Sequence, residues 1–192
     1  MKEKNYFSDK IFSDIDYSIK PFKIGEYENC IFKNCKFSNV NLSSCIFVNS
    51  EFISCEFNNT KISETVFRDV IFKDCKLLGL QFDTCSKLII SMEFENSQLN
   101  MCSFYGLKLN KMNFKNCELK EIDFGNADLT GSNFDECDLS KSIFDNTNLT
   151  KCDFSSANNY SIDPEKNKIT KAKFSINGIS GLLDKYDIII KQ

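Results

Sequence analysis

The sequence predicts a repeat fold, a narrow tube in which the chain turns a corner every five residues. One large apolar residue occupies every fifth position from Tyr27 to Phe82 and, after a shift of two residues, from Phe94 to Phe154. The residue two positions before each of these is never charged, although charged residues make up 27% of the chain. A period of five fits neither the 3.6-residue repeat of a helical face nor the two-residue repeat of a half-buried strand. We name the large residue the central position, the residue two before it the inner position, and the other three the outward positions.

Segments such as CIFKNCKFSN, NADLTGSNFDECDLS and NTNLTKCDFS carry this pattern, and in them the chain resembles a pentapeptide repeat protein in its Phe/Cys-rich form. The resemblance covers residues 25–157. It implies an all-β solenoid, the right-handed quadrilateral parallel β-helix, in which four pentapeptides make one coil. Neighbouring coils should lie about 4.8 Å apart, the usual strand spacing. Each coil satisfies its backbone only by pairing with its neighbours, so the two ends need caps.

The N-terminal residues 1–24 keep the large apolar residue at every fifth position, but some of their inner positions are charged. Their central positions are Phe7, Phe12, Tyr17 and Phe22. Lys10 and Lys20 fall at inner positions, where an unpaired charge would carry a large desolvation cost. We therefore predict an irregular capping coil whose aromatic residues cover the open end of the tube.

A shift of two residues interrupts the period within residues 83–93. The expected central position is Lys87, and Leu88, Ile89 and Ile90 offer apolar substitutes. We predict a small bulge with one of these three residues turned inward, because bulges re-aim a chain locally. The alternative is a binding loop, although two extra residues make only a short protrusion.

The period fails from Asn158, and residues 158–192 are predicted to form a C-terminal cap. Ser175 is a candidate N-cap for a short helix over Ile176–Lys185, and Asp187–Lys191 has the composition of a strand. In family members with this layout, a helix-and-strand module closes the tube and forms a twofold dimer, so the resemblance implies a homodimer, the commonest oligomer in any case. The residues predicted for this interface are Ile176, Ile179, Leu182, Leu183, Ile188 and Ile190.

The composition argues against an enzyme. The chain has no histidine, the commonest general base and a common zinc ligand. It contains neither a P-loop nor a dinucleotide-binding glycine motif. We predict no catalytic residue, no cofactor and no metal site.

All ten cysteines fall at inner positions of the repeat, where a small, soft side chain fits. A disulfide framework needs an oxidising compartment, and metal sites favour C-x-x-C pairs, of which the chain has none. Buried cysteine commonly behaves as a small hydrophobe. We predict reduced thiols that fill the core; a thiol-based redox or metal-responsive protein is the rival interpretation.

The outer surface remains as the source of function. Acids outnumber lysines between Glu118 and Asp153, and carboxylates repeated from coil to coil have a spacing comparable to phosphates along a DNA strand, about 3.4 Å. A rod lined in this way can present itself to a basic DNA-binding groove. The predicted acidic binding face consists of Asp123, Asp128, Asp138, Asp145 and Asp153.

The resemblance gives this surface a candidate partner. The quinolone-resistance members of the family bind DNA gyrase or topoisomerase IV as DNA mimics, and the chain is similar to them in layout. It departs from them in lacking a sizeable loop between coils and in its modest acidity. The alternative is a scaffold with another protein partner. A net charge of −3 predicts no direct contact with nucleic acid, and the absence of a signal-peptide pattern or a long apolar run predicts a soluble, cytoplasmic protein.

Overall fold

The structure, a computed structural model that describes residues 5–88 and 90–190, is a parallel β-solenoid of about eight coils. Most residues pair with the residue 20 positions later, as Phe12 does with Phe32 and Asn148 with Lys168. Four pentapeptides therefore make one coil with four sides. We number the sides by their central residues in one coil, which are Tyr27 for side 1, Phe32 for side 2, Phe37 for side 3 and Leu42 for side 4. The predicted four-sided all-β solenoid is confirmed.

Two parallel sheets form sides 1 and 2. The strands of side 1 are β1 (Asn5–Ser8), β3 (Gly25–Glu28), β5 (Ile46–Val48) and β7 (Val66–Arg68). The strands of side 2 are β2 (Ile11–Ser13), β4 (Ile31–Lys33), β6 (Glu51–Ile53), β8 (Val70–Lys73), β9 (Met92–Glu95), β10 (Asn113–Lys115), β11 (Asn133–Asp135), β12 (Asp153–Phe154) and β13 (Lys173–Phe174). Sides 3 and 4, and side 1 beyond β7, are joined by single parallel bridges.

The corners of the tube are tight turns that require a left-handed backbone. In one of them the Val40 N–H donates to the Phe37 carbonyl at 2.9 Å, and Asn39 has φ 61°. A positive φ at the third residue is the signature of a type II turn. The residue two after the central position adopts this conformation in coil after coil, which explains why so many asparagines, aspartates and glycines stand there.

The core is built from stacked side chains, one column for each side. On side 2 the column consists of phenylalanines, and Phe114 lies between Phe94 and Phe134 with ring centroids 5.4 and 5.2 Å away and planes within 9° of parallel. Rings of neighbouring sides meet edge to face, as Phe114 and Phe124 do at 6.1 Å. Aromatic pairs favour both arrangements. The interior is therefore closed to any ligand, as the inward register predicts.

The two extra residues are accommodated on side 1, between Ser86 and Ser91. The Ser86 N–H donates to the Thr65 carbonyl in the earlier register, while the Ser91 N–H donates to the Phe67 carbonyl. The side chain of Leu88 is 92% exposed, and Ile90 is half-buried against the core. Ile89 lies outside the described residues. The predicted bulge is thus present, Leu88 protrudes from it, and Ile90 is an inward-packing substitute.

The N-terminal coil is more regular than predicted. Strands β1 and β2 pair in register with β3 and β4, so residues 5–13 form two regular sides of the first coil rather than an irregular cap. Lys10 and Lys20 are exposed, because no further coil covers the inner position at the end of the tube. The prediction that aromatic residues cover this end is consistent with the packing of Phe22, whose ring lies 5.2 Å from Tyr27 and 5.7 Å from Phe37.

The C-terminal segment departs from the prediction in three ways. The repeat continues beyond Asn158: Phe174 stacks on Phe154 at 5.4 Å, and β13 extends side 2. Instead of an α-helix over Ile176–Lys185, two short 3₁₀ helices cover Ile179–Leu182 and Asp184–Tyr186. Glycines at positions 178 and 181 lower helix propensity there. Of the predicted strand, residues Asp187–Ile190 are irregular, and Lys191 lies outside the described residues.

Candidate functional site

The inner position forms a hydrogen-bond ladder through the core. The Ser132 hydroxyl donates to the Leu109 carbonyl at 3.0 Å and accepts from the Met112 N–H at 3.1 Å. Thr147 donates in the same way to the Phe124 carbonyl, which precedes it by 23 residues, at 2.9 Å. The backbone carbonyls of central positions are thus satisfied by small polar side chains of the next coil. The sequence showed small uncharged residues at this position but not this role.

The cysteines belong to the same ladder. All ten are buried and none forms a disulfide. The Cys152 thiol donates to the Leu129 carbonyl at 2.9 Å. Burial raises the pKa of both Cys102 and Cys152 to about 12. The thiolate is the reactive form, so these thiols are inert at neutral pH, as the core-filling interpretation predicts.

The part of the chain that the structure describes presents no metal cluster and no spanning helix. Within residues 5–88 and 90–190, no three histidine, cysteine, aspartate or glutamate side chains converge as metal ligands would. No helix in those ranges has the length and apolar character needed to cross a bilayer. The candidate site is therefore the outer surface of the rod.

The five carboxylates predicted to form one acidic face do not share a side. Asp128 lies on side 1, where its backbone forms parallel β-bridges with Lys108 and Asn148. Asp153 lies on side 2. Asp138 belongs to side 3, whereas Asp123 and Asp145 belong to side 4. The prediction of a single face was wrong, because residues close in sequence are distributed around the circumference, one side for every five residues.

Several of these carboxylates also serve the corners of the tube. The Asp128 carboxylate accepts from both the N–H and the hydroxyl of Thr130, at 3.0 and 2.6 Å. The Asp123 carboxylate accepts from the Gly125 N–H at 2.8 Å. Aspartate commonly caps turns through such bonds to the residue two positions on. The abundance of aspartate in this stretch therefore has a structural cause, and a carboxylate that binds a partner must do so while it also caps a turn.

Asp153 has in addition a partner in the next coil. The Lys173 ammonium donates to its carboxylate at 2.8 Å, and the Ser155 N–H donates at 3.0 Å. The hydrogen bond from Lys173, followed by those from Ser155, lowers the pKa of Asp153 to about 2. This carboxylate is charged throughout the physiological range and partly neutralised by its neighbour.

Charge separates by side in the coils after the bulge. Side 2 carries the acids Glu93, Glu95, Asp135, Glu136 and Asp153 against Lys115 and Lys173. Side 4 presents Asp123 and Asp145 without a lysine in the same two coils. Side 1 carries lysines with a single acid, Asp128, and these lysines are Lys108, Lys111, Lys151, Lys168 and Lys171. This basic strip was not predicted from the sequence. Its lysines come into line only when the chain is divided into rows of 20 residues, with the two-residue shift included.

The predicted dimer-interface residues lie on the C-terminal cap, and most of them are exposed in the single chain. Ile176 is 89% exposed, and Ile179, Ile188 and Ile190 are each about half exposed. Leu182 differs, because it packs against the core. Lys185 ties this cap to the rod through the carboxylates of Asp163 and Glu165, both at 2.7 Å. The cap thus gathers apolar side chains at one end of the molecule.

These features define a class of protein: a four-sided parallel β-solenoid with a closed core and a charged exterior. The chain belongs to the pentapeptide repeat family, since the family model described as a pentapeptide repeat region matches residues 26–88 and 81–154. No curated protein matches the sequence.

Solved structures with a similar fold include full-length QnrB1, a plasmid-mediated fluoroquinolone resistance protein. It is 19% identical, with 95% of this chain and 99% of that chain covered and a TM-score of 0.48. HetL, a pentapeptide repeat protein involved in heterocyst differentiation regulation from the cyanobacterium Nostoc sp. strain PCC 7120, is 11% identical. There 92% of this chain and 91% of that chain are covered, with a TM-score of 0.47.

Proposed function

We propose that this protein is a non-catalytic rod that binds another protein through its outward side chains. Two observations support this proposal. The core is filled by stacked rings and leaves no room for a substrate, and the exterior carries charges that differ from side to side, as a binding surface would. Long regular surfaces of this kind are what repeat proteins use for binding. The proposed setting is the cytoplasm.

The more specific proposal is a DNA mimic that binds DNA gyrase or topoisomerase IV and protects it from inhibitors. The observation that carries it is the acidic surface of the coils after the bulge, on sides 2 to 4. Asp123, Asp138, Asp145 and Asp153 belong to this surface, whereas Asp128 lies among the lysines of side 1. Coils repeat about every 4.8 Å, so carboxylates one coil apart, such as Glu118 and Asp138 on side 3, have a spacing comparable to that of strand phosphates. Such binding would be steered by electrostatics and weakened by salt.

A gyrase supercoiling assay with added protein tests this proposal. We expect inhibition of supercoiling, or relief from a quinolone, at micromolar protein and low salt. The variant Asp123→Asn, Asp135→Asn, Glu136→Gln, Asp145→Asn should lose most of the effect, because it removes four negative charges from sides 2 and 4. The matched control changes four acids before the bulge: Asp14→Asn, Glu51→Gln, Glu56→Gln and Glu64→Gln. No effect at high micromolar concentration, or equal losses in both variants, would contradict the mimic.

The C-terminal cap is the proposed dimerisation module. Its exposed isoleucines supply an apolar surface of the kind that homodimers bury. We propose that Ile188 and Ile190 contact a second copy of the chain, so Ile188→Ser with Ile190→Ser should lower the oligomeric mass. The control is Ile143→Ser, an equally exposed isoleucine on side 4.

A further inference from the structure

The charges of side 1, like those of side 4 and unlike those of sides 2 and 3, form no ion pairs within the described residues. The ion pairs of the described residues lie on sides 2 and 3 or tie Lys185 to the C-terminal cap. None of them involves an outward residue of side 1. On that side Asp9 bonds only to polar neighbours, Ser8 and Asn29, at 2.5 and 3.3 Å. Side 1 therefore carries charges that have hydrogen-bond partners but no oppositely charged partner among the described residues.

The signs of these charges reverse along the rod. Before the bulge, side 1 bears the acids Asp9, Glu26, Glu28 and Asp69 with one cation, Arg68. After the bulge it bears Lys108, Lys111, Lys151, Lys168 and Lys171 with one acid, Asp128. The change of sign falls at the coil of Leu88, whose side chain is 92% exposed.

Leu88 is also the midpoint of this side. The hydrogen bonds of Ser86 to Thr65 and of Ser91 to Phe67 place the bulge directly after β7. In the column of outward residues just before the central positions, four precede the bulge and four follow it: Tyr6, Glu26, Ile46 and Val66, then Lys108, Asp128, Asn148 and Lys168. An acidic half and a basic half are thus placed symmetrically about the bulge, which displays Leu88 and Lys87.

Such a surface is complementary to a second copy of itself laid antiparallel. Consider a twofold axis that lies in the interface, perpendicular to the rod, at the coil of Leu88. It places a residue that lies a given number of coils before Leu88 opposite the residue of the second copy that lies the same number of coils after it. It brings Asp9 opposite Lys171, Asp69 opposite Lys111, and Leu88 opposite the Leu88 of the second copy. In the same arrangement Glu28 meets Thr150 and neighbours Lys151, and Arg68 meets Asn110. Lys87 is exposed in the coil of Leu88 and lies next to the axis; outside that coil no two like charges face each other.

We propose that side 1 is a self-complementary surface through which two copies of this chain pack face to face and antiparallel. Closed twofold interfaces require that one patch match itself, and this patch does so in charge and in its apolar centre. Side 1 offers roughly 25 outward residues, within the roughly 20 to 30 a side of a standard interface. This interface is separate from the C-terminal cap, and it does not depend on the proposed topoisomerase partner.

The acidic half is what favours a second copy over a nucleic acid. A phosphate backbone would fit the lysines after the bulge, but the same flat side continues into Asp9, Glu26, Glu28 and Asp69. Those acids would repel a polyanion that ran along the rod. The antiparallel copy satisfies both halves at once.

Cross-linking at the twofold axis tests the proposal most directly. In Leu88→Cys, two new surface thiols should meet across the axis, so oxidised glutathione should give a disulfide-linked dimer within minutes. The unchanged chain is one control, because its ten cysteines are buried. The matched control is Ile143→Cys, an exposed apolar position on side 4 that should stay monomeric on denaturing gels. Equal cross-linking of the two variants, or none with Leu88→Cys, would overturn the proposal.

Charge reversal gives an independent readout by analytical ultracentrifugation at low salt, with Ile188→Ser and Ile190→Ser present in every variant so that association through the cap is removed. Asp69→Lys alone and Lys111→Asp alone should each raise the dimer dissociation constant about tenfold, since every change acts twice in a twofold dimer. Asp69→Lys combined with Lys111→Asp should restore association. The control Asp153→Lys with Lys173→Asp, a pair on side 2, should leave it unchanged. A double reversal that fails to restore binding, or no association at all in this background without the cap contact, would overturn the side 1 interface.

Discussion

At the scale of single residues, the inner position is a hydrogen-bonding site as well as a packing site. Ser132, Thr147 and Cys152 each donate to the carbonyl of the central residue one coil earlier. A buried carbonyl left without a donor costs free energy, so a small side chain with one donor suits the position better than a purely apolar one. This explains the mixture of cysteine, serine and threonine, which hydrophobicity alone does not.

Ser132→Ala should lower the free energy of unfolding by about 1–3 kcal/mol, because it leaves the buried Leu109 carbonyl and Met112 N–H with only their long mutual hydrogen bond of 3.4 Å. The urea midpoint measures the loss. Ser132→Cys should cost less, since the thiol remains a weak donor. If alanine and cysteine variants unfold at the same midpoint as the unchanged chain, the ladder contributes no stability.

Asp153 should make stability depend on pH in the acid range. Its folded-state pKa of about 2 lies below the ordinary value of 3.8, so its contribution is fully present above about pH 4 and is lost as the pH falls towards 2. The difference in urea midpoint between the unchanged chain and Asp153→Asn should be constant from pH 7 to about 4 and then shrink. Lys173→Gln should flatten this dependence, because Lys173 is the main cause of the shift. A difference that persists at pH 2 would contradict the pairing.

At the scale of elements, the bulge interrupts side 1 and leaves the other sides intact. β8 pairs with β9 across it in a register of 22 residues instead of 20, with Phe72 still opposite Phe94. The two sheets therefore differ in extent: side 2 runs through the whole rod, while the strands of side 1 end at β7. The bulge is a local insertion in a regular ladder.

Deleting Lys87 and Leu88 should be tolerated by the fold. By sequence count the deletion restores an unbroken period of five, with Ile89 at the central position between Phe82 and Phe94. We expect a melting temperature unchanged or slightly raised, as measured by circular dichroism. Deleting the neighbouring pair Phe94 and Glu95 instead removes a buried ring and should abolish cooperative melting. Loss of folding in the first deletion would show that the bulge is required for the rod.

At the scale of the whole molecule, the arrangement of charge decides which surfaces can bind. The excess of acids between Glu118 and Asp153 is spread over four sides, and much of it is engaged in turns or paired with lysines of the next coil. Side 1 collects lysines that are far apart in the chain, such as Lys111 and Lys171. The gyrase assay and the Leu88→Cys cross-link therefore examine different sides of the same rod.

The sequence by itself determined the period, the inward and outward positions, the buried thiols and the presence of a bulge. These features follow from local chemistry. An unpaired charge is too costly to bury in a dry interior, so the repeats from Tyr27 to Phe82 and from Phe94 to Phe154 have uncharged residues at their two inward positions. The sequence predicted less well the regular first coil, the continuation of the repeat to Phe174 and the irregular C-terminal cap, because chain ends lack a neighbour on one side and obey different constraints.

Only the tertiary structure decided which outward residues share a surface. Residues five apart in the chain lie on adjacent sides, whereas residues about 20 apart lie on the same side, so closeness in sequence does not measure closeness in space. The two-residue shift adds to this, because it moves every later residue relative to the earlier coils. The predicted acidic face consequently separated into four sides, and the opposed halves of side 1 became visible only once the coils were stacked.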